Sequence, residues 1–190
     1  LETRAYYNTS QYYSTFYSYD NNDGNIRTGL LTRLIDQNGA ITTAGYDVFG
    51  RITWINRPGD DQYTNPTMRF SYNQTSSLFW TQVEQLISGT TYYKARKFYN
   101  GLGQLIQSQE DATVGGALQT VVTDMEYNNL GLVEAQSMPY AVTLASGFVT
   151  PAGQFFTQTA YDDLGRVNVI TQPDTTTTVM NYNIHLLNGQ

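Results

Sequence analysis

The sequence predicts an all-β chain of repeated antiparallel hairpins, and three observations carry the prediction. Aromatic residues abound, with 16 Tyr and 8 Phe among 190 residues. Such side chains suit the pleated, half-covered surface of strands. Charged residues make up only 14%, against about 25% in an average domain. Thr, Asn, Gln, Ser and Tyr take their place, and Asn and Gly suit turns. Finally, one short motif keeps returning: Tyr, Asp or Asn, two variable residues, Gly, then an alternating apolar segment.

Along the chain, residues 1–18 read as Tyr-rich strands ahead of the repeats, and "RAYYNTSQYYSTFYSY" at 4–19 carries seven aromatic residues. The repeat region then covers 19–190. A looser first copy, "YDNNDGNIRTGLL", runs from Tyr19 and Asp20 to Gly24, with one extra residue before its Gly. "YDVFGRITWINRPGD" follows from Tyr46, with Asp47, Gly50 and Arg51 in the motif places. "SYNQTSS" places a degenerate copy at Tyr72, and "LFWTQVEQLI" at 78–87 reads as a strand, with a short helix as the alternative. "YNGLGQLIQSQED" runs from Tyr99 through Gly103, and "YNNLGLVEAQSMP" from Tyr127 through Gly131. An apolar insertion at a turn, near 137–154, precedes "YDDLGRVNVITQPD", with Tyr161, Asp162, Gly165 and Arg166 in the motif places. A last degenerate copy begins at Tyr182.

Successive Tyr positions differ by 27, 26, 27, 28, 34 and 21 residues. A stray turn motif would not hold that register through copies that have lost their Gly, so the period belongs to the architecture. Each unit reads as an outgoing strand, a Pro, Asp or Gly cluster, and a return strand ending at the next Tyr. The Asp or Asn accepts bonds from backbone amides two residues on, the Gly supplies a positive φ, and the Tyr hydroxyl reaches a partner at the strand end. One hairpin cannot bury its own face, so neighbours must stack. The expected object is a long sheet that coils by its twist into a tube or shell.

These copies resemble the RHS repeat, also called the YD repeat, with a consensus near Y-D-x-x-G-R followed by an alternating strand. The resemblance rests on the copies at 46, 99, 127 and 161, and more loosely on the copy at 19. That family includes bacterial polymorphic toxins, cocoon subunits of insecticidal toxin complexes, surface proteins and, as relatives, animal teneurins. The resemblance implies a strip of β-hairpins spiralling into a hollow shell, which encloses a cargo in toxins and forms an adhesion body in teneurins. The family's self-cleaving core carries a "DPxG" signature, and this chain contains no Asp-Pro.

Other features bear on chemistry. The net charge is −6 and the 10 Lys and Arg are scattered, whereas a polyanion partner needs a basic stripe; nucleic acid is not an expected partner. There is no Cys, which excludes disulfides and thiolate chemistry. No apolar run approaches the roughly 18 residues of a membrane-spanning helix. The lone His185 reads as structural or solvated. "DNNDGN" at 20–25 fails the calcium-loop pattern, because the twelfth place is Leu30. The pairs Asp60-Asp61, Glu110-Asp111 and Asp162-Asp163 read as solvated turn residues, since adjacent carboxylates do not face each other across a cleft. No cofactor or metal is expected. Tyr6, Tyr7, Tyr12 and Tyr13 are the candidates for contact with a glycan or a partner chain.

The expected function is therefore a non-catalytic structural segment of a larger exported or cell-surface bacterial protein, enclosing or scaffolding a toxin cargo. Its partners would be adjacent repeats or neighbouring subunits. The alternative is an extracellular adhesin or filament component that binds glycans or neighbouring subunits through Tyr-rich surfaces. An enzyme, such as a glycosidase, ranks third.

Overall fold

A computed structural model describes residues 2–6, 12–19, 29–60, 64–73 and 78–182, with backbone alone for 4–6, 12 and 13. The described residues form strands, turns and loops and no helix. The strands are β1 (Glu2–Tyr6), β2 (Tyr12–Tyr19), β3 (Leu31–Ile35), β4 (Ile41–Tyr46), β5 (Ile52–Asn56), β6 (Met68–Asn73), β7 (Phe79–Ser88) and β8 (Thr91–Tyr99). They continue as β9 (Leu105–Val114), β10 (Ala117–Tyr127), β11 (Val133–Ser137), β12 (Tyr140–Val142), β13 (Phe156–Tyr161), β14 (Val167–Thr171) and β15 (Thr177–Val179). The segment at 78–87 is thus a strand, as its β-branched and aromatic content favours.

Strands neighbour one another in chain order, β1 through β11 and then β13, β14 and β15, while β12 pairs with β10. Antiparallel neighbours in sequence need only short turns, so the order follows from hairpin after hairpin. The chain falls into two compact units, Leu1–Ser76 with Trp80–Arg96, and Ser77–Phe79 with Lys97–Gln190.

The motif turn has one geometry. Asp47 N–H donates to the Arg51 carbonyl at 2.9 Å, and Gly50 N–H donates to the Asp47 carbonyl at 3.0 Å. Gly50 has φ +77°, a region that costs a Cβ-bearing residue about 1–2 kcal/mol. The Asp47 side chain accepts from the amides of Phe49 and Arg51, both at 2.9 Å. This is a type I turn closed by a left-handed Gly and a bulge. Asn100, Asn128 and Asp162 repeat both side-chain bonds. The strand register shifts by one residue just before Tyr46, Tyr127 and Tyr161, as the bulge requires.

The first copy departs from the sequence reading. Tyr19 pairs with Leu31, with the same register shift before the Tyr. Tyr46 pairs likewise with Ile52, two residues after Gly50. Counting back from Leu31 puts Gly29, at φ +67°, in the turn-closing place. Twelve residues separate Tyr19 from its partner Leu31, against six between Tyr46 and Ile52, and Asp20 and Gly24 lie outside the described residues.

The same turn recurs at the opposite hairpin ends, where the motif is absent. Asp36 accepts from Asn38 and Ala40 amides, both at 2.8 Å, and Gly39 closes the turn. At 172–176 the closing residue is Thr175, with φ +69°. A β-branched side chain there is strained. Thr175→Gly should raise stability by about 1 kcal/mol, read as a higher urea midpoint at unchanged m-value.

Burial is sparse and local. Among the described residues the buried apolar side chains are Tyr92, Phe98, Val122 and Ala135. In the first unit Tyr92 donates its hydroxyl to the Pro66 carbonyl at 2.8 Å, with the Arg69 guanidinium over its ring. In the second unit polar residues are buried alongside Val122 and Phe98: Gln107, Gln109, Thr120, Asp124 and Ser137. Glu110 and Asp111 lie within β9, not in a turn as the sequence suggested. The unbroken polar run in "LIQSQED" had obscured how far that strand extends.

Candidate functional site

The candidate site is built from the repeat motif itself. Tyr46 donates its hydroxyl to the Leu31 carbonyl at 2.8 Å, and Tyr72 to the Ile52 carbonyl at 2.9 Å. Tyr127 donates to Leu105 at 2.8 Å, Tyr161 to Val133 at 2.7 Å and Tyr182 to Val167 at 2.9 Å. In every case the acceptor is the second residue after the turn glycine of the preceding copy. Leu31, Ile52, Val133 and Val167 are the first paired residues of their strands after the bulge, and the next Tyr takes up the carbonyl of each. Tyr99 follows the copy that lost its Gly, and it donates no hydrogen bond among the described residues.

Arginine reinforces the latch where the motif is complete. Arg51 pairs with Asp47 at 2.7 Å and lies over the Tyr72 ring, 4.5 Å from its centroid. Arg166 pairs with Asp162 at 2.7 Å and lies 4.3 Å over the Tyr182 ring. One side chain thus joins its own turn to the next repeat's aromatic ring. In the Asn copy at 100, Asn100 Nδ2 donates to Gln104 Oε1 at 2.8 Å. Gln104 Nε2 then donates to the Gly131 carbonyl at 3.2 Å. Amides replace the ion pair while the link between copies is kept.

The latch gives two measurable outcomes. Tyr161→Phe keeps the ring and removes one half-buried bond, so it should cost about 1 kcal/mol in urea unfolding. The Arg166 bonds, with the Leu164 amide, hold the Asp162 carboxyl below its ordinary range despite some desolvation. At Asp47, desolvation pushes the other way and the bonds from Arg51 and Phe49 outweigh it. A depressed folded-state pKa gives stability that is present above the unfolded value, about 3.9, and lost as pH falls through the folded one. Asp162→Asn keeps the turn, as Asn100 and Asn128 do. It should flatten the loss of urea midpoint below about pH 4.

A second constellation was not anticipated from the sequence. β11 and β12 run along the same side of β10 and are separated at Met138-Pro139. Residues 143–154 then cross the face of β9 and β10 before β13 begins. Gln107 Oε1 accepts the Val149 amide at 3.0 Å, and its Nε2 donates to the Val149 carbonyl at 2.7 Å. Gln109 Nε2 donates to the Gly147 carbonyl at 2.8 Å, and the Thr120 hydroxyl accepts the Ala145 amide at 2.9 Å. Asp124 accepts from Gln107 Nε2 at 2.5 Å and from the Tyr140 hydroxyl at 2.8 Å. The Asp124 amide donates to Ser137 Oγ at 2.8 Å. Burial, and then the bond to Asp124, raise the Tyr140 hydroxyl well above its ordinary range.

The available signals were faint: a run of polar residues at 107–111 within a strand, and the irregular spacing of 34 residues between Tyr127 and Tyr161. The region at 137–154 reads as an apolar insertion. What fastens it is polar.

The remaining candidates scatter. Tyr7 and His185 lie outside the described residues, as do the side chains of Tyr6, Tyr12 and Tyr13. Asp60 accepts the Thr67 hydroxyl at 2.5 Å, and Asp61 lies outside the described residues. Among the described residues no three His, Cys, Asp or Glu side chains gather as a metal site, and no helix is long and apolar enough to cross a membrane. No family model matches the chain, and no curated protein matches it.

Proposed function

We propose that the chain is a non-catalytic wall segment of a large exported or cell-surface bacterial RHS-repeat protein, whose sheet encloses or scaffolds a toxin cargo. The observation that carries this reading is the Tyr hydroxyl bonded to the preceding copy's carbonyl at Tyr46, Tyr72, Tyr127, Tyr161 and Tyr182. At these five places the bond points to the previous hairpin and couples nearest neighbours, as repeat architectures require. The role it serves is mechanical. A copy that carries the latch closes the bulged end of the one before it, so a wall can grow by adding hairpins.

The adhesin alternative rests on Tyr6, Tyr7, Tyr12 and Tyr13, whose side chains lie outside the described residues. The test uses the protein as it is encoded, with its flanking sequence. Electron microscopy should reveal a hollow particle, and proteolysis should spare an interior segment until the wall is breached. A solid particle with every segment equally cleavable would overturn the proposal.

A further inference from the structure

The strap over β9 and β10 is held in an unusual way. Its hydrogen bonds to the sheet come from side chains, Gln107, Gln109 and Thr120, and they engage strap backbone atoms at every second residue: 149, 147 and 145. Among the described residues no backbone–backbone bond joins 143–154 to a strand. Residues 145, 147 and 149 are half-buried, while 144, 146, 148 and 150 are exposed. That alternation is the signature of extended chain lying on a surface.

The receiving side chains are fixed in place. Gln107 is fully buried, and its amide uses both donors and both acceptor sites: Asp124 and Val149 take its protons, while Val149 and Gln109 donate to its oxygen. Thr120, Val122 and Asp124 pair across the strands with Asp111, Gln109 and Gln107, so all six share one face. A ring contact adds shape, Phe148 edge-on to Phe98 at 5.5 Å. The inward strap residues are small, so what is recognised is mainly the peptide backbone.

We propose that this face is a binding site for extended polypeptide, occupied by the chain's own strap, which exchanges for a segment supplied in trans. The claim does not rest on the wall reading. A strap held by side-chain bonds and a ring contact opens more readily than a laddered strand. The receiving groups carry no net preference for strap side chains beyond the Phe98 contact, so any extended segment with small inward residues fits.

The test excises the strap from folded protein. Specific protease sites placed after Thr143 and after Gly153 release it, and a labelled peptide spanning 144–153 is titrated against the cut protein by fluorescence anisotropy. The expected result is saturable one-to-one binding. Replacing outward Leu144 and Ser146 by Ala should change affinity by no more than about threefold, while N-methylation at Val149 should weaken it about tenfold. No binding by cut protein that keeps its cooperative unfolding, or equal binding of the N-methyl peptide, would overturn the proposal. Should cutting unfold the protein, hydrogen exchange on the intact chain decides. Exchange of the Ala145 and Val149 amides through an opening easier than global unfolding supports an exchangeable strap, and exchange only through global unfolding overturns it.

Discussion

Gln107→Leu should lower stability by about 3 kcal/mol, the largest loss expected from any single substitution in the second unit. Leu fills a similar volume, so the loss is one of hydrogen bonding rather than of packing. The change would strand the Asp124 carboxylate beside an apolar side chain, and it would leave the Val149 amide and carbonyl and one Gln109 proton without their partner. Buried groups left without partners carry their full desolvation penalty, about 1–3 kcal/mol each and more for a charge. Tyr140 still donates to Asp124, which limits the damage. Urea unfolding at constant m-value measures the loss. A change under about 1 kcal/mol would mean that water replaces these bonds freely.

Gly45→Ala should be the most damaging small substitution in the first unit, at about 2–3 kcal/mol. Gly45 faces Trp54 across the β4–β5 pair, and a Cβ at Gly45 would fall inside the Trp54 indole. No unusual backbone conformation is involved; the Gly is there so that the ring can lie flat on the strand, as an aromatic covers a strand glycine in other sheets. Trp54→Leu should relieve the clash. The double variant should therefore be less destabilised than the sum of the single ones, a coupling that a double-mutant cycle reads directly. Additive effects would mean that the ring moves aside without strain.

The parts legible in the sequence were those fixed by local backbone chemistry. The Asp or Asn and the Gly of each motif encode a turn, and the turn at 47–51 forms as its residues require. The Tyr period marked the hairpin ends, including those at Tyr72 and Tyr182 where the Gly is gone. The parts not legible depend on pairing across the sheet. Gly29 sits two residues before Leu31, the partner of Tyr19, a place set by strand register that the repeat motif did not point to. Glu110 and Asp111 look like a turn pair but lie in a strand that continues to a Gly-Gly hairpin turn at 115–116. The network around Gln107 escaped because a polar side chain in a strand reads as solvent-facing unless its cover is known. Here that cover is a segment some forty residues further along the chain.

The central claim is that successive hairpins are coupled through the Tyr-to-carbonyl latch and behave as one wall. Its most direct test is tandem duplication of residues 161–181 ahead of Tyr182, which inserts one further copy carrying its own Tyr, Asp, Gly and Arg. Nearest-neighbour coupling predicts a single urea transition with a higher midpoint and a larger m-value, because the added copy unfolds with the rest. An unchanged midpoint, with a separate low-urea transition from the added copy, would contradict it.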